Sequence, residues 1–348
     1  MSSSDTFHGW SCTGKDEPLV WSELPLKQFD ATTIEMEITH CGICGSDVHT
    51  MDSGWGPTQY PCVVGHEITG VVTRVGEKVT KVKVGDRAGV GAQSYSCLEC
   101  DSCKTGHENL CENGIVGTYN SKWPSGDTTF GGYADKWRGD QHFVFKIPDS
   151  MTNEVAATFF CAGVTTFAPL RRYNVKKGDR VGVIGIGGLG HFAVLWAAAM
   201  GAEVVALSHS ENKRQDAKAL GCTDFVVAKN PDELAKHKDT LTHILCASYA
   251  TDFDWAAYLP LLKHNGTFIL VAAPEAPLTG IPPFALLLKQ IQISGSIIGS
   301  PSQIEEMLEF AAEHNVKPWL NKYKMTDIAS ALQAFRDGKP RYRIVLEN

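Results

Sequence analysis

The hydrophobic pattern divides the chain into two parts. Up to about residue 150, short apolar or β-branched stretches alternate with polar residues and with Gly- and Pro-rich turns, a pattern typical of β-strands. Residues 34–39 and 68–75 are the clearest strands, and Gly85-Asp86 is predicted to be a turn between two short strands that lie between Val79 and Val90. Helical periodicity is nearly absent here. We therefore predict a mostly β domain whose loops can carry functional residues.

After about Asn153, predicted helices and strands alternate. A helical stretch at 154–158 precedes an apolar strand at 180–184, and an Ala-rich helix follows at 191–200. Further strands are predicted at 203–207, 224–227, 244–247, 267–271 and 291–296. This alternation indicates an α/β fold with a doubly wound parallel sheet. A last apolar strand at 342–346 has no partner in that sheet, so we expect it to return to the β domain.

Composition narrows the classes of function. The 348 residues carry a formal net charge of −7, which argues against nucleic acid or an anionic membrane as the main partner. No apolar stretch reaches the roughly 20 residues of a membrane span, and the N-terminus does not resemble a signal peptide. We therefore expect a cytoplasmic protein. Eleven cysteines in a reducing compartment are better explained as metal ligands and buried thiols than as disulfides.

Metal-binding residue types are concentrated between His40 and Thr50, a stretch with two thiols, two imidazoles, a hydroxyl and a carboxylate. Gly65-His66-Glu67 follows fifteen residues later. A catalytic zinc needs three such ligands and one open position, so Cys44 and His66 are candidate ligands. Either stretch alone could equally consist of buried cysteines and a core histidine, but the two together favour a metal site.

A second cluster contains four cysteines with the spacing C-x2-C-x2-C-x7-C. They are Cys97, Cys100, Cys103 and Cys111. Four thiolates within fifteen residues can surround one tetrahedral ion and leave no open position, as in a structural zinc site. An iron–sulfur cluster is the alternative, because the first three cysteines also fit a ferredoxin-like run. Against it, the fourth cysteine comes seven residues later and no proline follows. Disulfides are the third and least favoured interpretation of these cysteines, because a reducing compartment keeps thiols free.

A glycine-rich motif connects the first α/β strand to the next helix. Its residues are Gly185, Ile186, Gly187, Gly188, Leu189 and Gly190. In strand–turn–helix context, G-x-G-x-x-G lets the backbone approach a pyrophosphate that faces the helix N-terminus. The motif therefore predicts a dinucleotide site.

The end of the second α/β strand bears on the choice of dinucleotide. An NAD site usually has an acidic residue there, but this strand ends at Ser208, followed by His209 and Ser210. Lys213 and Arg214 open the next helix. Hydroxyls and two bases without an acid favour the 2′-phosphate of NADP. In the alternative interpretation the two bases form a solvated helix face, and the nearby Glu211 mildly supports it.

Together these motifs resemble the zinc-dependent medium-chain alcohol dehydrogenases. Gly-His-Glu, Phe-Cys-Ala-Gly-Val-Thr, Gly-Ile-Gly-Gly-Leu-Gly-His, Gly-Ser-Ile-Ile-Gly-Ser and the closing Arg-Tyr-Arg are similar to the NADP-dependent cinnamyl alcohol dehydrogenase branch. The resemblance covers nearly the whole chain. It implies a GroES-like catalytic domain at 1–153 and 297–348, a Rossmann domain at 154–296, two zinc ions per subunit and a homodimer.

The resemblance also implies roles for individual residues. Cys161 would join Cys44 and His66 as a ligand of the catalytic zinc, with Glu67 as an alternating fourth ligand. Ser46 and His49 match a proton relay, and Asp47 matches the partner of the zinc histidine. The residues implied on the cofactor side are Ser46, Thr165, Ile297, Ile298 and Arg343, and those in the substrate pocket are Trp55 and Ile298. Gly117 departs from the tryptophan of many plant members, which weakens any expectation of strict lignin-precursor specificity.

The implied function is the zinc-dependent interconversion of primary alcohols and aldehydes with NADP(H), with aldehyde reduction favoured. The expected substrates are aromatic, cinnamyl-type and medium-chain aliphatic aldehydes. Two other classes stay open: a zinc-independent quinone or enoyl reductase of the same superfamily, and a non-catalytic NADP-sensing protein.

Overall fold

The computed structural model describes residues 5–250, 253–275 and 277–348. They form two compact units. The first unit comprises the chain up to Val164 together with Ile298–Asn315 and Trp319–Asn348, and the second comprises Thr165–Ile297 with Val316–Pro318. Residues 154–164 belong to the first unit because helix α3 (Asn153–Ala157) packs on its sheet. The boundaries at residues 154 and 297 stay a prediction.

The first unit is built mainly from strands. In chain order these are β1 (Thr6–Ser11), β2 (Val20–Pro25), β3 (Thr33–Ile43), β4 (Ile68–Val75), β5 (Arg87–Val90), β6 (Gln93–Tyr95), β7 (Val116–Gly117), β8 (Lys136–Asp140) and β9 (Phe145–Lys146). Its helices up to Val164 are α1 (Gly45–Met51), α2 (Asp101–Lys104) and α3, with 3-10 turns at Glu108–Leu110 and Gln141–Phe143. A π-helix, Phe159–Gly163, then leads into α4 (Val164–Arg172).

The second unit alternates strands and helices. Its strands are β10 (Arg180–Ile184), β11 (Glu203–Ser208), β12 (Asp224–Val227), β13 (Leu241–Cys246), β14 (Leu262–Leu270) and β15 (Gln292–Gly295). Its helices are α5 (Gly188–Ala199), α6 (Arg214–Leu220), α7 (Pro231–Lys236), α8 (Trp255–Tyr258) and α9 (Pro283–Leu287), with 3-10 turns at Glu211–Lys213 and Leu259–Leu261. The chain then adds α10 (Pro301–Glu313), β16 (Leu320–Lys324), a 3-10 turn at Met325–Asp327, α11 (Ile328–Arg336) and β17 (Arg343–Glu347) to the first unit.

The main sheet of the first unit has the strand order β16-β17-β3-β4-β5-β9, with β8 also paired to β3. Strand β3 shows why this part of the chain is β structure: Ile34, Met36 and Ile38 are fully buried, and they alternate with glutamates. Strand β17 runs antiparallel to β3, with Leu346 opposite Cys41. The expected return of the last strand to the β domain is therefore confirmed.

Two local predictions in this unit differ from the structure. Of the two strands expected between Val79 and Val90, only β5 is formed in the described chain. The predicted turn at Gly85-Asp86 is present, and the Asp86 carboxylate stabilises it by accepting a hydrogen bond from the Lys83 amide (3.0 Å), but no described strand lies between Val79 and this turn. The stretch after Cys44 is helix α1, although no helix was predicted there. It is too short for apolar periodicity to reveal it.

The sheet of the second unit is wholly parallel, with the order β12-β11-β10-β13-β14-β15. This is the order of the dinucleotide-binding Rossmann fold, in which strand order reverses beside the first strand. Val183 and Leu207 are fully buried, as expected for strands covered by helices on both faces. The carboxyl ends of β10 and β11 lie side by side, so the glycine-rich motif and Ser208 share one edge. Among the described residues, no helix is long and apolar enough to cross a membrane.

Candidate metal centre and nucleotide site

The first metal-binding group contains Cys44, His66, Glu67 and Cys161, whose ligand atoms all lie within 4.8 Å of one another. Cys44 immediately precedes α1, His66 lies just before β4, and Cys161 lies in the π-helix. A π-helix inserts an extra residue per turn and is frequent at functional sites. Sequence spacing could not find Cys161, since 117 residues separate it from Cys44. The family resemblance was the signal that found it.

The donor atoms converge as a single ion requires. Cys44 Sγ and Cys161 Sγ are 3.8 Å apart, and His66 Nε2 lies 3.0 Å from Cys161 Sγ. Two sulfurs on one tetrahedral zinc would be about 3.8 Å apart, given Zn–S bonds of about 2.3 Å. Two thiols and an imidazole form a soft donor set that suits zinc. The three side chains therefore fit a zinc ion.

The Asp47 carboxylate contacts two members of this group, His66 and Cys44. Its Oδ1 is 2.9 Å from His66 Nδ1 and accepts the Gly65 amide proton at 3.1 Å. Its Oδ2 accepts hydrogen bonds from the Cys44 amide at 2.8 Å and from the Tyr133 hydroxyl at 2.9 Å. Asp47 therefore contacts the histidine at Nδ1, and its role as the partner of a zinc histidine stays a prediction. The contact with Tyr133 carried no sequence signal.

Glu67 faces the same group but pairs with Arg343. Its Oε1 accepts a hydrogen bond from the Arg343 guanidinium, and the guanidinium also donates to the Ile43 carbonyl at 2.9 Å. Glu67 Oε2 is buried and has no hydrogen-bond partner in the described chain. Arg343 was assigned to the cofactor side by resemblance, but it is only 3% exposed and is engaged by Glu67. Burial raises the pKa of Glu67 to about 7, although the Arg343 charge opposes that shift.

The electrostatics of the group favour a bound cation. The hydrogen bond between the two thiols lowers the pKa of Cys44 and raises that of Cys161, as when two sulfurs share one proton. Burial alone would lower the pKa of His66, but the Asp47 charge and hydrogen bond raise it well above its usual range. The negative groups that hold a proton on His66, namely Asp47 and Cys44, are charges that a metal ion bound to deprotonated ligands can compensate instead.

The four-cysteine cluster forms the second group. Cys97, Cys100, Cys103 and Cys111 bring their sulfurs within 4.8 Å of one another, with Cys97 Sγ 4.0 Å from Cys103 Sγ and 3.5 Å from Cys111 Sγ. Several irons would spread the thiolates further apart than one ion does, so the spacing favours a single ion over an iron–sulfur cluster. All eleven cysteines lie in the described chain and are free thiols.

The three consensus glycines of the G-x-G-x-x-G motif, Gly185, Gly187 and Gly190, differ in their structural surroundings. Gly185 has a φ of +83°, which favours glycine, and it forms the turn after β10. A Cβ on Gly190 would lie 1.8 Å from the Gly185 carbonyl oxygen, so this position lets helix and strand pack closely. A Cβ on Gly187 would meet no described atom within 4 Å. Open space at the N-terminus of α5 is where a pyrophosphate can approach.

The residues after β11 are not equally available to a phosphate. The Lys213 ammonium donates to the Ile186 carbonyl, which places its charge beside the glycine-rich motif. Arg214 is paired to Glu211 through two hydrogen bonds, one of 2.7 Å from Nη2, and it lies over the Phe225 ring. For Arg214, the alternative of a solvated, ion-paired helix residue is therefore favoured. Ser208 is buried, whereas His209 and Ser210 are exposed.

The remaining predicted site residues lie in different settings. His49 stacks on Trp55 with ring centroids 4.5 Å apart, and Ser46 Oγ is 3.7 Å from Cys44 Sγ. Thr165 is in the first turn of α4 and is buried. Ile297 is exposed, and Ile298 has a φ of +37°, a strained value for a β-branched residue.

Comparisons with known proteins agree with this geometry. Residues 30–149 match the family described as "Alcohol dehydrogenase GroES-like domain", and residues 188–313 match "Zinc-binding dehydrogenase". The chain is 41% identical to NADP-dependent alcohol dehydrogenase C 1 of Mycolicibacterium smegmatis, over 98% of each chain.

Two solved structures are similar over almost the whole chain. A cinnamyl alcohol dehydrogenase from Sorghum bicolor has a TM-score of 0.94 and 36% identity, and the match covers 98% of this chain and 97% of that one. A Helicobacter pylori cinnamyl alcohol dehydrogenase in complex with NADP(H) has a TM-score of 0.90 and 34% identity, with 98% of each chain covered.

The fold and the metal centre thus define a zinc-dependent oxidoreductase of the medium-chain class. The chain belongs to the zinc-dependent alcohol dehydrogenases, in their cinnamyl alcohol dehydrogenase-like branch. The predictions of the α/β fold, of an enzyme acting on alcohols and aldehydes, and of zinc and NADP(H) as cofactors are confirmed.

The two metal groups should be separable by mutation. The unmodified protein should contain two zinc ions per chain, and Cys44→Ser should retain one zinc and the fold. Activity of Cys44→Ser should fall at least about 100-fold, because a Lewis-acid metal stabilises the transition state by several kcal/mol and each 1.36 kcal/mol changes the rate tenfold.

Cys103→Ser should instead lower the unfolding midpoint, because a structural zinc contributes to folding directly. Elemental analysis, denaturation and turnover measure these outcomes. Iron in the protein, or full activity of Cys44→Ser, would contradict the assignment.

Proposed function

We propose that Cys44, His66 and Cys161 hold the catalytic zinc of an NADP-dependent enzyme that interconverts primary alcohols and aldehydes, and that Cys97, Cys100, Cys103 and Cys111 hold a structural zinc. The observation that supports this best is the convergence of two thiols and an imidazole, distant in sequence, in front of the Asp47 carboxylate. Glu67, with one unpartnered buried oxygen, is proposed as the alternating fourth ligand.

The chain's own residues would prepare the site for the reaction. When bound, zinc supplies a Lewis acid that polarises an aldehyde oxygen, and the nicotinamide supplies the hydride. Asp47 fixes the His66 ring by its bond to Nδ1, which leaves Nε2 facing the two sulfurs. The Ser46 hydroxyl, next to Cys44, can hold or pass a proton at Oγ. His49 can exchange that proton with water.

NADP(H) is proposed as the preferred dinucleotide. The open space at Gly187 suits the pyrophosphate, and Ser208 replaces the acid that would repel a 2′-phosphate. Lys213 is the base best placed to meet that phosphate, since its ammonium is already held beside the glycine-rich motif. Ile186, Gly188 and Leu189 complete the loop, while His209 and Ser210 would line the adenosine side. Thr165, Ile297 and Ile298 are proposed near the nicotinamide, whereas Arg343 is engaged by Glu67 at the metal group.

Uncharged aldehydes are the proposed substrates, with reduction favoured over oxidation. Trp55 and Ile298 are the proposed apolar walls, and the strained φ of Ile298 is typical of residues held in place at functional sites. Gly117 carries no side chain, so it offers no aromatic wall of its own. A zinc-independent quinone reductase would not need the three zinc donors, and a non-catalytic sensor would not need Ser46 and His49.

We also propose a cytoplasmic homodimer. Strand β15 is the last in its sheet, so one edge has no neighbouring strand among the described residues. Phe284, Leu287 and Leu288 near this edge are 69%, 68% and 76% exposed, an apolar surface that a second copy would cover. The eleven free cysteines suit a reducing compartment. Sedimentation velocity of the intact protein tests the dimer.

A substrate panel tests the proposed function. With NADPH, cinnamaldehyde, benzaldehyde and medium-chain aliphatic aldehydes should be reduced with higher kcat/KM than sugars, polyols or carboxylic acids. The apolar walls proposed here contribute no cation that would hold a carboxylate. Initial rates of NADPH oxidation provide the measurement, and the Cys44→Ser protein is the control. Better turnover of polyols or acids would refute the pocket assignment.

Cofactor choice should depend on Ser208 and Lys213. A charge-assisted hydrogen bond contributes about 1.5–3 kcal/mol, so Lys213→Met should weaken kcat/KM for NADPH roughly 10- to 150-fold and leave NADH nearly unaffected. Ser208→Asp should reverse the preference by repelling the phosphate. Arg214→Met is the matched control and should change little, because Arg214 is occupied by Glu211. Equal kcat/KM for NADPH and NADH in the unmodified protein would be the contrary result.

The role of His49 can be separated from binding. His49→Gln should slow turnover but spare the KM values, because it removes a proton-transfer step whose usual contribution is about 10²–10⁴. Exchange with solvent can restore part of that loss. Steady-state kinetics across pH, with added imidazole as a rescue reagent, measures the effect. Unchanged kcat at every pH would mean that His49 is an ordinary surface histidine.

A further inference from the structure

A hydroxyl that no sequence motif indicated lies against the proposed zinc histidine. Tyr119 OH is 2.9 Å from His66 Nδ1, the nitrogen on the far side of the ring from the two sulfurs. The two rings are tilted by 52° with centroids 5.4 Å apart. The same Nδ1 is 2.9 Å from Asp47 Oδ1, so this nitrogen has two oxygen partners.

The Asp47 carboxylate and the Tyr119 hydroxyl meet at the same ring nitrogen and also contact each other. The carboxylate already meets four donor groups: the amides of Cys44 and Gly65, the Tyr133 hydroxyl and His66 Nδ1. Four hydrogen bonds correspond to the lone-pair sites of a carboxylate. With Nε2 facing the sulfurs, Nδ1 carries the ring proton, so the Asp47 carboxylate and the Tyr119 hydroxyl are both acceptors for one N–H group. Tyr119 is therefore a second oxygen contact at the nitrogen that Asp47 holds.

The segment that carries Tyr119 is itself well anchored within the first unit. Thr118 Oγ1 is 2.7 Å from Ser94 Oγ, and the Thr118 amide donates to the Ala92 carbonyl at 3.0 Å. On the other side, Asn120 Oδ1 accepts the Gln59 amide proton at 2.9 Å. Contacts on both sides fix the backbone at Tyr119. The position of its hydroxyl is therefore set by the hydrogen bonds of the two flanking residues, Thr118 and Asn120.

We propose that Tyr119 is a positioning residue for the catalytic zinc, which holds the His66 ring through Nδ1 jointly with Asp47. The proposal rests on the proposed function, because it assumes that His66 binds zinc through Nε2. One oxygen at Nδ1 leaves the direction of the N–H bond free to vary, so the ring can still tilt. A second oxygen at the same nitrogen restricts that direction. Partners of a metal-bound histidine commonly contribute 10- to 100-fold to metal affinity or activity.

The test removes one hydroxyl and follows the metal. Tyr119→Phe in the zinc-loaded protein should release its catalytic zinc to a chelator about ten-fold or more faster, while release of the four-cysteine zinc stays unchanged. The cobalt-substituted protein should show shifted visible absorption bands, and the KM for NADPH should not change. Tyr60→Phe is the matched control: its hydroxyl donates to the Met51 carbonyl at 2.9 Å, in the same unit but away from the zinc ligands.

The outcomes separate this proposal from the proposed function. Zinc release and cobalt spectra of Tyr119→Phe that equal those of the unmodified protein would refute the role of Tyr119, even if the enzyme reduces aldehydes. An unmodified protein that turns over no aldehyde, yet loses zinc faster in Tyr119→Phe, would refute the function and support the positioning role. Equal acceleration in Tyr60→Phe would show a general loosening of the unit and would also overturn the proposal.

Discussion

The buried Asp47 carboxylate is the interaction on which the metal centre depends. It is fully buried, and such a charge is tolerated only when its hydrogen bonds are complete. Here its donors come from the start of α1, from Gly65 and His66, and from Tyr133, so one side chain joins three separate places in the chain. Removing it would leave the Cys44 and Gly65 amides unpaired and the His66 Nδ1 with the Tyr119 hydroxyl as its remaining partner.

The C-terminal strand supplies the second constraint. Strand β17 pairs with β3 and thereby places Arg343, at its first residue, beside Glu67. The guanidinium neutralises a carboxylate in a site that already contains two thiols and the buried Asp47. Because the pair is almost completely buried, losing either member would leave an uncompensated charge, which is strongly destabilising. The last residues of the chain thus control the charge of the metal centre formed by its first half.

The sequence by itself determined the elements with strong local signals. The first and last glycines of the G-x-G-x-x-G motif answer local steric needs, the positive φ of Gly185 and the close packing at Gly190. The four cysteines lie within fifteen residues, so their spacing alone predicts a shared metal site, a zinc ion in preference to an iron–sulfur cluster. Alternating burial in β3 and the return of β17 also follow from patterns a few residues long. Cys161, Ser46 and the pocket residues needed the family resemblance, because nothing in their immediate neighbours indicates a function.

Only the tertiary structure decided which side chains meet. Arg343 and Glu67 are 276 residues apart, and Tyr119 and His66 are 53 residues apart, so no local pattern connects them. Helix α1 is stabilised by its contacts and not by periodicity, and the described stretch just before the predicted turn at Gly85-Asp86 forms no strand. Likewise, Arg214 looked available to a phosphate until the structure placed Glu211 against it. Local propensity fixes elements, but which charges and hydroxyls are paired depends on packing between distant segments.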